Sequence, residues 1–117
     1  MKEILENLNR SVGCLGSAVM TGDGIVVSSA INGSGDSDTL AAVMSSLVIA
    51  TQKSLKGLGD SVLQTMVINS SRGRITLVNA GRVYLLVITD AGIQPDATML
   101  DIKSAIHRMN KMISLDV

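Results

Sequence analysis

DSDTLAAVMSSLVIATQKSLKGL, residues 36–58, decides the reading of this chain. Projected at about 100° per residue, Leu40, Ala41, Val43, Met44, Leu47, Val48, Ala50, Leu55 and Leu58 cover about half the circumference of one helix. A helix lying on one sheet face needs a stripe of that width or less. Ile49 falls on the opposite side, between Lys53, Lys56 and Ser45. Part of the apolar surface therefore serves the chain's own sheet, and a surplus is expected to face another protein. Asp36, Ser37 and Asp38 can each cap the helix, and both aspartates suit its positive end. Gly57 and Gly59 stop it.

Downstream, Val62 to Asn69 reads as a strand, Ser70-Ser71-Arg72-Gly73 as a turn and Arg74 to Asn79 as the next strand. Ala80-Gly81-Arg82 turns again into a last strand, Val83 to Thr89. Three strands joined by short turns make an antiparallel meander. After the loop Ala91 to Pro95, Asp96 or Thr98 can cap a final helix to about Ile113. Its stripe is Met99, Ile102, Ala105, Ile106, Met109, Met112 and Ile113. Upstream, residues 2–11 place Ile4, Leu5, Leu8 and then Val12 on one face of a short helix that Gly13 ends. Cys14 to Met20 and Ile25 to Ile31 flank Thr21-Gly22-Asp23-Gly24 and form a β-hairpin, followed by a loop at Asn32-Gly33-Ser34-Gly35. The predicted order is α-β-β-α-β-β-β-α. Five antiparallel strands and three helices make an α+β sandwich of the broad α/β class.

Composition narrows the function. A chain of 117 residues is expected to be one domain over 1–117, large enough to bury roughly two-thirds of its unfolded surface. Ten lysines and arginines balance ten aspartates and glutamates, which argues against nucleic acid as the partner. Tyr84 is the only aromatic residue, so platforms for stacking bases are missing. Seven methionines fill the gaps that aromatics would otherwise take. Cys14 is the single cysteine, which forbids an internal disulfide and fits a reducing compartment. MKEILENLNR lacks the apolar core of a signal peptide, and the longest apolar run, Val83 to Ile88, is far too short for a bilayer. A cytoplasmic protein with no membrane insertion is expected.

Chemistry is sparse. Nucleophilic catalysis needs a nucleophile, a base and a group that orients the base. The only histidine, His107, falls on the polar face of the last helix, and Cys14 reads as a small buried hydrophobe. One His and one Cys cannot build a structural zinc site. Asp36 and Asp38 lack the glycine and distant glutamate of a calcium loop, so capping explains them. Gly22/Gly24, Gly33/Gly35 and Gly57/Gly59 lack the third glycine of a dinucleotide loop and sit where turns or helix ends require glycine. Arg72, Arg74 and Arg82 read as solvated turn residues in preference to a basic docking spot. Neither catalytic residues nor a cofactor or metal are expected, and the chain does not read as an enzyme.

One feature calls for a partner. The strand from Val62 to Asn69 starts the meander, and so lies at an edge, yet carries no charge or proline to guard it. A two-fold dimer would satisfy strand and helix together, with edge strands paired across the axis and long helices side by side. The expected interface comprises Met44, Leu47, Val48, Thr51, Leu55, Gln64, Met66 and Ile68. Small residues at Ala41, Ser45 and Ser46 would let the helices approach. A separate outer patch of Ala42, Ile49, Lys53 and Lys56 is the candidate contact for a third party.

The ordered set of VMTGDGIVVSSAI (19–31), DSDTLAAVMSSL (36–47), the LGD-x-V exit at 58–62 and MVINSSRGRITLVNAGRVYLLVIT (66–89) resembles the Roadblock/dynein light chain family of adaptor domains. The resemblance covers nearly the whole chain through the ordered set; no single motif carries it. It implies a profilin-like fold and dimers built on the long middle helix and the strand after it. It also implies a role without a fixed catalytic set: dynein light chain, scaffold for small Ras-like GTPases, or GTPase-activating partner in bacterial gliding. No extension beyond the core domain is expected to carry a partner-binding tail. The leading expectation is a homodimeric adaptor that binds and regulates a small GTPase. The alternatives are a structural light-chain module and a small-ligand sensor, and the latter would need a cavity that this apolar, aromatic-poor core gives little sign of.

Overall fold

The computed structural model describes residues 1–11, 13–31, 37–59 and 61–115, the side chains of 113–115 excepted. Val12, the expected loop at Asn32–Gly35, the cap candidate Asp36, Asp60 and the Ile113 side chain lie outside these residues. The elements are α1 (Lys2–Asn9), β1 (Cys14–Met20), β2 (Val26–Ile31), α2 (Ser37–Leu55), β3 (Thr65–Asn69), β4 (Gly73–Asn79), β5 (Tyr84–Asp90) and α3 (Pro95–Leu115), with a 3-10 turn at Lys56–Leu58 after α2. The order is the one the sequence predicts.

The strands form one antiparallel sheet in the order β2-β1-β5-β4-β3. Side chains alternate across a strand, so β1, β4 and β5 each feed two cores. Val19, Val78, Leu85 and Val87 face α1 and α3, where Ile4, Leu5, Leu8, Ile102, Ala105 and Met109 meet them. Ala18, Met20, Leu77 and Leu86 face α2 and pack on Ala41, Met44 and Val48. Burial on both faces explains the unbroken apolar run of β5, since neither side of a covered central strand meets water.

Three local departures have physical causes. The strand expected from Val62 begins only at Thr65, because the Gln52 side chain takes over the backbone before it. Its Nε2 donates to the Ser61 carbonyl at 2.7 Å and its Oε1 accepts from Leu63 N–H at 2.9 Å. The last helix starts at Pro95, one residue before the first cap candidate, since proline lacks only an N–H that the first turn leaves unpaired anyway. The small residues of α2 admit the hairpin turn. Ala41 and Ser45 are buried, Ser45 Oγ donates to Gly22 O at 2.9 Å, and a Cβ on Gly24 (φ 90°) would lie 3.1 Å from Ser45 Cβ.

Candidate functional site

α2 divides into three strips. Ala41, Met44, Ser45 and Val48, spaced i, i+3, i+4, i+7, are buried on the sheet. Met44 and Val48, expected at an interface between chains, thus belong to the chain's own core and offer no surface to a second copy. Leu55 is half-buried in the same core.

A second strip flanks the first. Val43 and Leu47 are 54% and 38% exposed, and Ala50 and Ser54 lie beside them. The strip carries no charge, and its serines are internally paired: Ser46 Oγ donates to Ala42 O at 3.3 Å and Ser54 Oγ to Ala50 O at 3.2 Å. Covering such hydroxyls costs less than covering free ones, because their donors are already satisfied. Val43 and Ser54 were not among the expected site residues; the signal was the absence of charge at i, i+4, i+7 and i+11 from Val43.

Thr51 joins this strip to β3. Half-buried, it sets its Oγ1 4.0 Å from Met66 Sδ. Met66 and Ile68 are half-buried beneath α2, Gln64 is exposed, and the Gln64 carbonyl accepts Asn79 N–H at 2.8 Å. β3 ends the sheet, and Thr65 to Asn69 contain no charged residue and no proline. The opposite edge, β2, is different: the Asn9 side-chain amide at the end of α1 donates to the Ala30 carbonyl. The uncharged flank of α2 and the open edge of β3 therefore form one continuous border.

The third strip points away from the sheet. Ala42, Ile49 and Lys53 are exposed on one face of α2, with Ile49 at 50%, and Lys56, also exposed, follows in the 3-10 turn. This face thus combines an exposed isoleucine with two lysines.

No comparable arrangement for covalent chemistry exists among the described residues. Cys14, half-buried where β1 begins, has its thiol pushed above the ordinary value, chiefly by burial, which is the reverse of nucleophile activation. The Asp23 carboxyl is held below its usual value by the Thr21 hydroxyl within the hairpin turn. His107 is exposed. Among the described residues no three His, Cys, Asp or Glu side chains are grouped to hold a metal, and no helix is long and apolar enough to cross a membrane. Arg74 is not a solvated turn residue. It lies within β4, with Nη1 on Ile93 O at 2.9 Å and Nε on Asn69 Oδ1 at 2.7 Å. One feature runs against the sequence: a cavity of about 370 Å³ between the end of α1, β5 and the start of α3.

Known proteins supply the comparison. The Roadblock/LC7 domain model matches residues 1–90, that is, to the end of β5. An uncharacterized protein of Methanocaldococcus jannaschii is 30% identical over 109 residues, spanning 93% of this chain and 92% of its own length. MglB of Myxococcus xanthus superposes with a TM-score of 0.89 at 21% identity, over 97% of this chain and 94% of that one. The gliding protein MglB of Thermus thermophilus gives 0.80 at 25% identity, covering 89% and 81%. Profilin IB of Acanthamoeba castellanii gives 0.66 at 8% identity, covering 92% and 94%, so the architecture is profilin-like.

Proposed function

Because the chain belongs to the Roadblock/LC7 domain family, we propose that it is a homodimeric, cytoplasmic adaptor that binds and regulates a small Ras-like GTPase. In this proposal residues 1–117 form one domain. The observation that carries it is the continuous uncharged border of α2 and β3. A lone strand edge of this kind invites pairing, and an apolar helix flank beside it invites packing. A second copy related by a two-fold axis presents the same border in return, so one operation satisfies both features. Leu47, Thr51, Gln64, Met66 and Ile68 of the expected interface lie on or beside this border, joined by Val43 and Ser54.

In such a dimer the outer patches of Ala42, Ile49, Lys53 and Lys56 remain open on both copies, and the GTPase docks there. The resemblance to GTPase-activating partners makes accelerated hydrolysis the expected consequence. In this role the adaptor acts by arranging the GTPase's own groups, in keeping with a family resemblance that implies no fixed catalytic set. The test is binding of the purified chain to a Ras-like GTPase encoded in the same genome, with GTP hydrolysis followed in the same tube. Saturable binding with faster hydrolysis, both weakened by Ile49→Asp, is the expected result. A GTPase that neither binds nor changes its hydrolysis rate contradicts the regulatory role.

A further inference from the structure

The cavity on the α1–α3 face lies across the sheet from α2 and plays no part in the proposed dimer. Its floor is β5, where Val87 and Thr89 are each 1% exposed. Leu8, Ile93 and Ala97 form apolar walls, and Asp101, exposed on α3, stands at the rim. Among the described residues, Thr89 Oγ1 is a buried side-chain oxygen with no hydrogen-bond partner. A buried hydroxyl left unpaired costs stability, and folded proteins seldom keep one without use. Threonine and valine have nearly the same shape, so an apolar atom would fill this place at no steric cost.

The walls are held in advance. The Ile93 side chain lies over Gly13 (φ 77°), where any Cβ would collide with it. The Ile93 carbonyl is fixed by Arg74, and its N–H donates to Asp90 O at 3.3 Å. A volume of about 370 Å³ falls within the range of small-molecule sites, and so does the pattern of apolar walls with few polar groups.

We propose that this cavity binds a small amphipathic cation. The apolar body lies between Leu8, Ile93 and Ala97, a hydroxyl or carbonyl of the ligand pairs with Thr89 Oγ1, and an ammonium meets the Asp101 carboxylate at the mouth. The floor selects for one hydrogen-bonding group, and the rim selects for positive charge.

Tyramine serves as the probe, with phenethylamine lacking the hydroxyl and 4-hydroxyphenylacetate reversing the charge. Backbone amide shifts are followed in the intact chain during titration, together with the rate of Cys14 alkylation. Tyramine is expected to give saturable shifts at Thr89, Ile93 and Ala97 and to slow alkylation of Cys14, which also lines the cavity. Phenethylamine should bind roughly tenfold more weakly, as should tyramine to Thr89→Val or Asp101→Asn. Ala97→Phe, an exposed position that fills the mouth, should abolish the shifts. A well-dispersed amide spectrum shows that each variant is folded. Shifts that never saturate, or that persist unchanged in Thr89→Val and Ala97→Phe, overturn the proposal and leave a solvent-filled cleft. Equal binding of 4-hydroxyphenylacetate overturns the assignment of a cation.

Discussion

Single side chains carry much of the local order. Gln52 holds two backbone groups at once, and Gln52→Ala would strip the Leu63 N–H of its partner in a buried place. A loss of about 1–3 kcal/mol is expected, read as a lower denaturant midpoint with an unchanged slope. Thr89→Val should act in the opposite sense and raise stability by about 1 kcal/mol, since it deletes an unpaired buried hydroxyl and keeps the shape. Cys14 gives a pH signature. Its folded thiol keeps its proton to higher pH than the unfolded thiol, so it binds more protons in the folded state. Stability is full below the unfolded value of about 8.5 and falls as pH rises beyond it; Cys14→Ala should flatten that alkaline slope. The burial of Cys14 was legible in the sequence; the roles of Gln52 and Thr89 were not. Glutamine, threonine and asparagine read alike on a surface or in a core, and the partners of Gln52 and Asn9 are distant in the chain. Asn9, which accepts from Ser17 Oγ at 2.8 Å and donates to Ala30, carried no signal in the sequence beyond its place within the first helix.

At the level of elements the sequence was far more informative, because hydrophobic period and glycine placement act within each segment. The positions of β1, β4 and β5 followed from apolar runs between turn residues, and α3 from its 3.6-residue stripe. The surplus of α2 was also legible, but its division was not. Leu47 and Val48 are both apolar and adjacent, yet one faces outward and the other fills the core. Only the direction in which the helix crosses the sheet separates them. The hairpin turn sets that direction, for Gly24, at positive φ, fits against Ser45 where a Cβ would crowd it at 3.1 Å. Gly24→Ala is expected to cost about 1–2 kcal/mol through its positive φ, with further loss from the close contact. Hydrogen exchange should then speed up in β2 before it does in β5.

For the whole molecule, one sheet separates two surfaces of different use. The α1–α3 face encloses a cavity, and the α2 face ends in a border that leaves apolar helix and open strand uncovered. The central claim is that this border is covered by a second copy of the chain. Leu47→Glu sets a carboxylate in the middle of the flank without touching the core, so it should break the dimer and spare the fold. Sedimentation equilibrium at roughly micromolar concentration tests this directly. The wild-type chain is expected at twice its 12.2 kDa mass and Leu47→Glu at 12.2 kDa. A wild-type chain found at 12.2 kDa, or a Leu47→Glu variant that stays dimeric, would contradict the account.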